Sequence, residues 1–182
     1  MATTYCEAVE KMEPGNVHKR YHDTEYGFPI LDDDALFERL ILEINQAGLS
    51  WTTILNKKDN FHNAYHAFSI DKVAAYKDRD VKRLLNDAGI IRNRLKIAAA
   101  IENAQRLKII CIEFGSFKSW LDHHHPKTKD EWVKIFKQTF KFTGGEIVNE
   151  FLMSIGYLHG AHAENCPLYK KVMKQKPAWM RK

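Results

Sequence analysis

The chain has 182 residues, 45% of them apolar, which suits one domain with a sizeable core. No apolar run approaches the ~20 residues needed to span a bilayer, and the N-terminus lacks a basic region followed by an apolar stretch, so no membrane partner and a cytoplasmic location are expected. Three cysteines, Cys6, Cys111 and Cys166, cannot all pair and are too few for a disulfide scaffold; reduced thiols or metal ligands are expected instead.

The net charge of +5 is unevenly spread. Residues 1–76 are net −5, residues 77–108 net +5 with nine basic against four acidic side chains, residues 109–169 net −1, and residues 170–182 net +6. Positive charge gathered in a central block and a basic C-terminal tail suits the docking of a polyanion, although a solvated helix face gives the same charge pattern.

In chain order, the first informative stretch is Cys6 followed by HKRYHDTEYGFP. His18 and His22 stand four apart, which on a helix puts both imidazoles on one side. Asp32, Asp33 and Asp34 then offer a cap for an amphipathic helix in which Leu36, Phe37, Leu40, Ile41, Ile44 and Ala47 recur at helical spacing. Glu43 lies on the margin of that apolar face. A carboxylate there is either half of an i,i+4 pair with Arg39 or a functional acid. Gly48 stops the helix, the chain turns through Leu49, and Ser50 caps a second helix from Trp51.

Shorter apolar patterns follow over residues 52–55, 61–68 and 70–76, with no strand-like alternation and no internal repeat. Residues 80–114 read as a short helix, a tight turn at 86–90 containing Gly89, and a long helix from residue 91 with Ile97, Ala98, Ile101, Ala104 and Leu107 inward. Two helices joined by a Gly-containing hairpin, with Arg92, Arg94 and Lys96 just inside the second, resemble a helix-hairpin-helix element. In such an element backbone N–H groups hold a phosphate and nearby cations grip the backbone without reading sequence. An ordinary helical turn is the competing reading. Residues 117–129, with His123, His124 and His125, read as a solvated linker, and residues 129–140 as another amphipathic helix. A Gly-Gly turn precedes a buried helix through Phe151, Leu152 and Ile155, and His162 and Cys166 follow at H-x3-C spacing. With Cys6 and His22 they offer two thiolates and two imidazoles, a good tetrahedral set for zinc that would tie the two chain ends together. An exposed Cys6 and a surface His162 are the competing reading.

Taken together, these motifs resemble the 3-methyladenine DNA glycosylase I family of bacterial base-excision enzymes. The match runs almost ungapped from Cys6 to Cys166 through YHDTEYG, LFERLILEINQAGLSW, LLNDAGIIRNRLKI, the F-x-F-x-G of residues 140–144, SIG and H-x3-C. The resemblance implies an all-α helix-hairpin-helix glycosylase fold over 1–169, with terminal segments tied by one structural zinc on Cys6, His22, His162 and Cys166. It implies a base pocket containing Glu43, Tyr21 and Trp51. Tyr26 is expected to join it, Glu43 is assigned the catalytic role, and the hairpin and the exposed turn give expected DNA contacts at Gly89, Arg92, Arg94 and Leu49. The expected substrate is double-stranded DNA carrying alkylated bases, acted on by a monomer. Excision would be hydrolytic, since by superfamily analogy no lysine stands at the hairpin to form a Schiff base. The chain departs from the family pattern at Ala8, His18 and Tyr26, and places Glu146 and Glu150 where small hydroxyl residues are usual.

Overall fold

The computed structural model describes residues 4–181, and those residues form eleven α-helices and one short 3-10 turn, with no strand among them. None of the helices is long and apolar enough to cross a membrane. The all-α architecture agrees with the expectation from the sequence.

The organising element is α3 (Asp33–Gln46), on which Leu36, Phe37, Leu40, Ile41, Leu42 and Ile44 are all buried. It packs against α4 (Trp51–Ala64), α5 (Ile70–Ala74), α7 (Arg94–Phe114), α8 (Phe117–His124) and α10 (Gly145–Ser154). The acidic run before it does more than cap it. Asp32 accepts from Ala35 N–H at 2.8 Å and caps α3 itself. Asp34 accepts from Ile70 N–H at 2.9 Å and caps α5, whose own leading residue, Ser69, makes no side-chain cap. Asp33 takes Phe117 N–H at 2.8 Å and Lys118 N–H at 3.0 Å at the start of α8. Three consecutive carboxylates thus satisfy orphan amides of three helices and fix their relative placement.

Several elements differ from the sequence reading. The separate patterns at 52–55 and 61–68 belong largely to one helix, α4. Residues 117–129 are not a solvated linker: Phe117, Trp120 and Leu121 are buried on α8, which Ser116 caps. The long helix α7 begins at Arg94, because Asn93 caps it by accepting from the N–H groups of Leu95 and Lys96 at 3.0 and 3.1 Å. Arg92 therefore precedes the helix. Ala98 is exposed, and Ala99, Ala100, Asn103 and Ile110 join the inner face instead.

The remaining elements close the ends. Helices α1 (Tyr5–Glu10) and α2 (Val17–Thr24) pack on each other, and α2 packs on α4. Helix α6 (Asp78–Asn86) leads into the hairpin, and α9 (Lys129–Thr139) lies against α10. The basic C-terminal segment is folded through α11 (Tyr169–Lys174) and the 3-10 turn Ala178–Met180. Trp179 N–H donates to Gly156 O at 3.1 Å, and Arg181 reaches Asp122 at 2.6 Å. The final Lys182 lies outside the described residues.

Candidate functional site

A cleft of about 390 Å³ opens between the N-terminal helices and the end of α3, lined by Tyr5, His18, Tyr21, Tyr26, Glu43, Gln46, Trp51 and Glu150. Its walls are aromatic. Tyr21 meets Trp51 edge to face at 5.3 Å between centroids, Tyr5 meets Tyr26 in the same way at 5.5 Å, and Tyr21 lies 5.5 Å from Tyr26. Burial raises the pKa of Tyr5, Tyr21 and Tyr26, so all three stay neutral hydroxyls. Burial lowers that of His18, which therefore puts no positive charge in the cleft at neutral pH. The His18 ring is held by Thr52 Oγ1 at 2.8 Å and Tyr5 OH at 3.1 Å.

Glu43 is 3% exposed, and its carboxylate accepts no hydrogen bond from the described residues. Desolvation pushes its pKa up to about 8, with Glu150 adding to the rise and Arg39 opposing it. The i,i+4 surface pair with Arg39 does not exist. Arg39 is itself buried; its Nη1 donates to Tyr21 OH at 2.9 Å and its Nη2 to Glu25 at 2.9 Å, and Glu25 also pairs with Lys58. The guanidinium lies 4.9 Å from the Tyr21 ring centroid. Arg39 thus braces a pocket wall, and Arg39→Ala would disturb the cleft along with any ion pair. Glu150, on α10, accepts from Tyr26 OH at 3.3 Å and supplies a second carboxylate, its pKa also raised by burial.

Behind this cleft, Cys6, His22, His162 and Cys166 come together with all four candidate ligand atoms within 4.8 Å of one another. Cys166 Sγ lies 3.7 Å from His22 Nε2 and 3.6 Å from His162 Nδ1, and Cys6 Sγ lies 3.8 Å from His162 Nδ1. A tetrahedral centre with Zn–S about 2.3 Å and Zn–N about 2.0 Å spaces its sulfur and nitrogen ligands by about 3.5 Å, so the set fits such an ion. The other ring nitrogens are also engaged, His22 Nδ1 with Asp23 at 2.7 Å and His162 Nε2 with the Tyr26 carbonyl at 2.7 Å. Outer partners of this kind fix the tautomer and orientation of ligating histidines. A buried Cys2His2 group able to hold a metal is therefore present. His18 and His22, read as sharing one side of a helix, serve different sites, one facing the cleft and the other the cysteines.

The model of the methyladenine glycosylase family matches residues 11–134. The chain belongs to that family. It is 37% identical to DNA-3-methyladenine glycosylase 1 of Escherichia coli (strain K12), over 82% of this chain and 89% of that protein. It is 32% identical to DNA-3-methyladenine glycosylase of Haemophilus influenzae, over 91% and 97% respectively. A solved structure of a variant of 3-methyladenine DNA glycosylase I in complex with 3-methyladenine superposes with a TM-score of 0.80 at 33% identity, covering 88% of this chain and 95% of that one.

Other named residues lie outside the cleft lining. Leu49, 41% exposed, tips the turn between α3 and α4, where Gly48 adopts φ +80 and so permits the reversal. Gly89 N–H is turned inward, donating to Asp87 Oδ1 at 2.8 Å, and its carbonyl receives Asn60 and Lys57. The amides of Ile91, Arg92 and Arg94 take no acceptor among the described residues, and both arginine side chains are exposed. Lys96, grouped with them by sequence, is buried. Asp122 accepts from Lys118, Tyr157 OH and Arg181, which hold its carboxyl down to about 2; it anchors the C-terminal segment and does not line the cleft. Tyr5, Gln46 and Asp23 were missed by sequence reasoning. Weak signals existed, since Tyr5 precedes Cys6, Gln46 stands three residues after Glu43, and Asp23 follows His22.

Proposed function

We propose that this family member excises 3-methyladenine and related alkylated bases from double-stranded DNA by hydrolysing the N-glycosidic bond of a flipped nucleotide. The observation that carries this reading is Glu43, 3% exposed and with no hydrogen-bond donor among the described residues, lining an aromatic cleft. Leaving such a group without a partner costs stability, and a ligand with donor groups supplies what the protein withholds. A base alkylated on a ring nitrogen is cationic. The rings of Tyr21, Tyr26 and Trp51 attract it, and Glu43 accepts from its exocyclic amine. Unpairing costs a few kcal/mol and is smallest for a damaged base, which adds selectivity. The positive base already leaves readily, so water attacks the sugar carbon with little help from acid catalysis. Lys96 is committed to backbone carbonyls and unavailable as an amine nucleophile, which supports hydrolysis alone. One chain carries the whole cleft and hairpin, so a monomer suffices for the reaction. Incubation with methylated duplex and chromatography of released bases tests the reading; binding without release would sink it.

The Cys6, His22, His162 and Cys166 group holds one zinc, which ties the chain ends together and so supports Tyr21 and Tyr26 between its ligands. With four protein ligands it leaves no position for water and has a structural role.

The duplex backbone docks on the free amides of Ile91, Arg92 and Arg94, with the side chains of Arg92 and Arg94 beside them, while Leu49 fills the space of the flipped base. Gly89→Val should weaken binding to undamaged duplex of any sequence alike, because its Cβ would meet Asp87 Oδ1 at 2.9 Å and Asn60 Cβ at 3.2 Å and push the hairpin out of shape. Unchanged affinity in a filter or anisotropy titration would place the phosphate contact elsewhere. Leu49→Ala should cut excision several-fold with a stability change within about 0.5 kcal/mol, as for an exposed side chain. A melting loss larger than the activity loss would make Leu49 a core residue instead.

A further inference from the structure

Lys96 stands in the first turn of α7, is 5% exposed and has no carboxylate partner. Its ammonium donates to Asn45 O at 2.8 Å and Ala47 O at 2.7 Å. Those carbonyls are at the C-terminus of α3, two residues after Glu43 and one before Gly48, where the helix dipole favours a cation. A buried lysine balanced only by dipoles is costly to retain, and burial lowers its pKa. A second bolt runs the opposite way: Lys57 of α4 donates to Ala88 O at 3.0 Å and Gly89 O at 3.1 Å. The hairpin and its second helix are thus joined to α3 and α4, two of the helices that line the cleft, by ammonium-to-carbonyl links in both directions.

We propose that Lys96 is a positioning residue for excision, fixing the Gly48–Leu49 turn and the end of the Glu43 helix to the start of the hairpin's second helix, so that a duplex held at the hairpin presents its flipped nucleotide to the cleft in one register. The inference rests on the proposed function. Without the ammonium, the cleft still fits a free base and the hairpin still holds DNA, but the two no longer act at a set distance. A positional error near 1 Å is enough to cost about 100-fold in rate.

The test compares wild type, Lys96→Met and Lys96→Arg in excision from methylated duplex, in binding of free 3-methyladenine followed by tryptophan fluorescence, and in affinity for undamaged duplex. For Lys96→Met, kcat should fall at least about 10-fold, with free-base and undamaged-duplex affinities each within about 2-fold. Lys96→Arg, which can span the same two carbonyls, should recover most of the rate. Unchanged kcat in Lys96→Met overturns the proposal, as does a parallel loss of free-base affinity, which would mark plain fraying of α3, or an arginine variant as slow as the methionine one. If Lys96→Met melts below the assay temperature, Lys96→Gln takes its place with the same expectations. Failure of wild type to release methyladenine is a separate outcome that overturns the function first and this inference with it.

Discussion

Replacing Glu43 by glutamine is expected to lower excision of 3-methyladenine at least ~10-fold, about 1.4 kcal/mol of lost transition-state stabilisation, with the fold kept. Glutamine preserves the shape of the side chain and, under the proposed function, removes the charge that would meet a cationic base. The pH dependence follows from the raised pKa of about 8. A carboxyl whose folded value lies above its ordinary 4.5 binds its proton more tightly in the folded chain, so its burial penalty is absent below about pH 4.5 and complete above about pH 8. Glu43→Gln should therefore melt higher than wild type, and by a wider margin near pH 8.5 than near pH 5. Activity runs the other way. Wild-type kcat/KM should climb as pH rises toward about 8, because the ionised form is the one that attracts the base, and the glutamine variant should lack that climb. Normal excision by Glu43→Gln, or an identical pH profile in both proteins, would remove Glu43 from the mechanism.

The second large effect concerns the chain ends. Tag-free protein should contain about one zinc per chain, and Cys166→Ser should lose it and melt roughly 8–16 °C lower. That range comes from a metal present at about a thousand times its Kd, which contributes ~4 kcal/mol, at ~2–4 °C per kcal/mol for a domain of this size. Cys111→Ser is the control, since Cys111 sits by Asp33 at 3.6 Å and outside the four-residue group. Because Tyr21 and Tyr26 flank His22, metal loss should also weaken free-base binding. Protein that holds no zinc by elemental analysis, or a Cys166→Ser variant that melts with wild type, would show the cluster to be metal-free.

Much of this protein was legible in its residues. Helical spacing of apolar side chains reports directly on which face of a segment is inward, so α3, the start of α4 at Ser50 and the α9 and α10 helices could be placed without coordinates. The EINQAGLSW stretch and the terminal Cys and His pairs identified the family and singled out Glu43. Where periodicity was short or interrupted, the reading failed. Phe117, Trp120 and Leu121 give barely one helical turn before three histidines, and α8 is settled by Asp33, more than eighty residues earlier, capping its N-terminus.

The partners of Arg39 and Lys96 were decided by tertiary structure alone. Sequence spacing offers Arg39 to Glu43 and Lys96 to the DNA, because a neighbour at i,i+4 or a run of like charge is all it can register. In the fold, Arg39 faces Tyr21 and Glu25 on α2 and just beyond it, and Lys96 faces the carbonyl end of α3. A charged side chain taken out of water is driven to whichever partner is nearest in space, and that partner belongs here to an element distant in sequence. The same holds for the cleft. Tyr5, Tyr21, Glu43 and Glu150 come from four helices, and only their packing turns separate aromatic and acidic residues into one site.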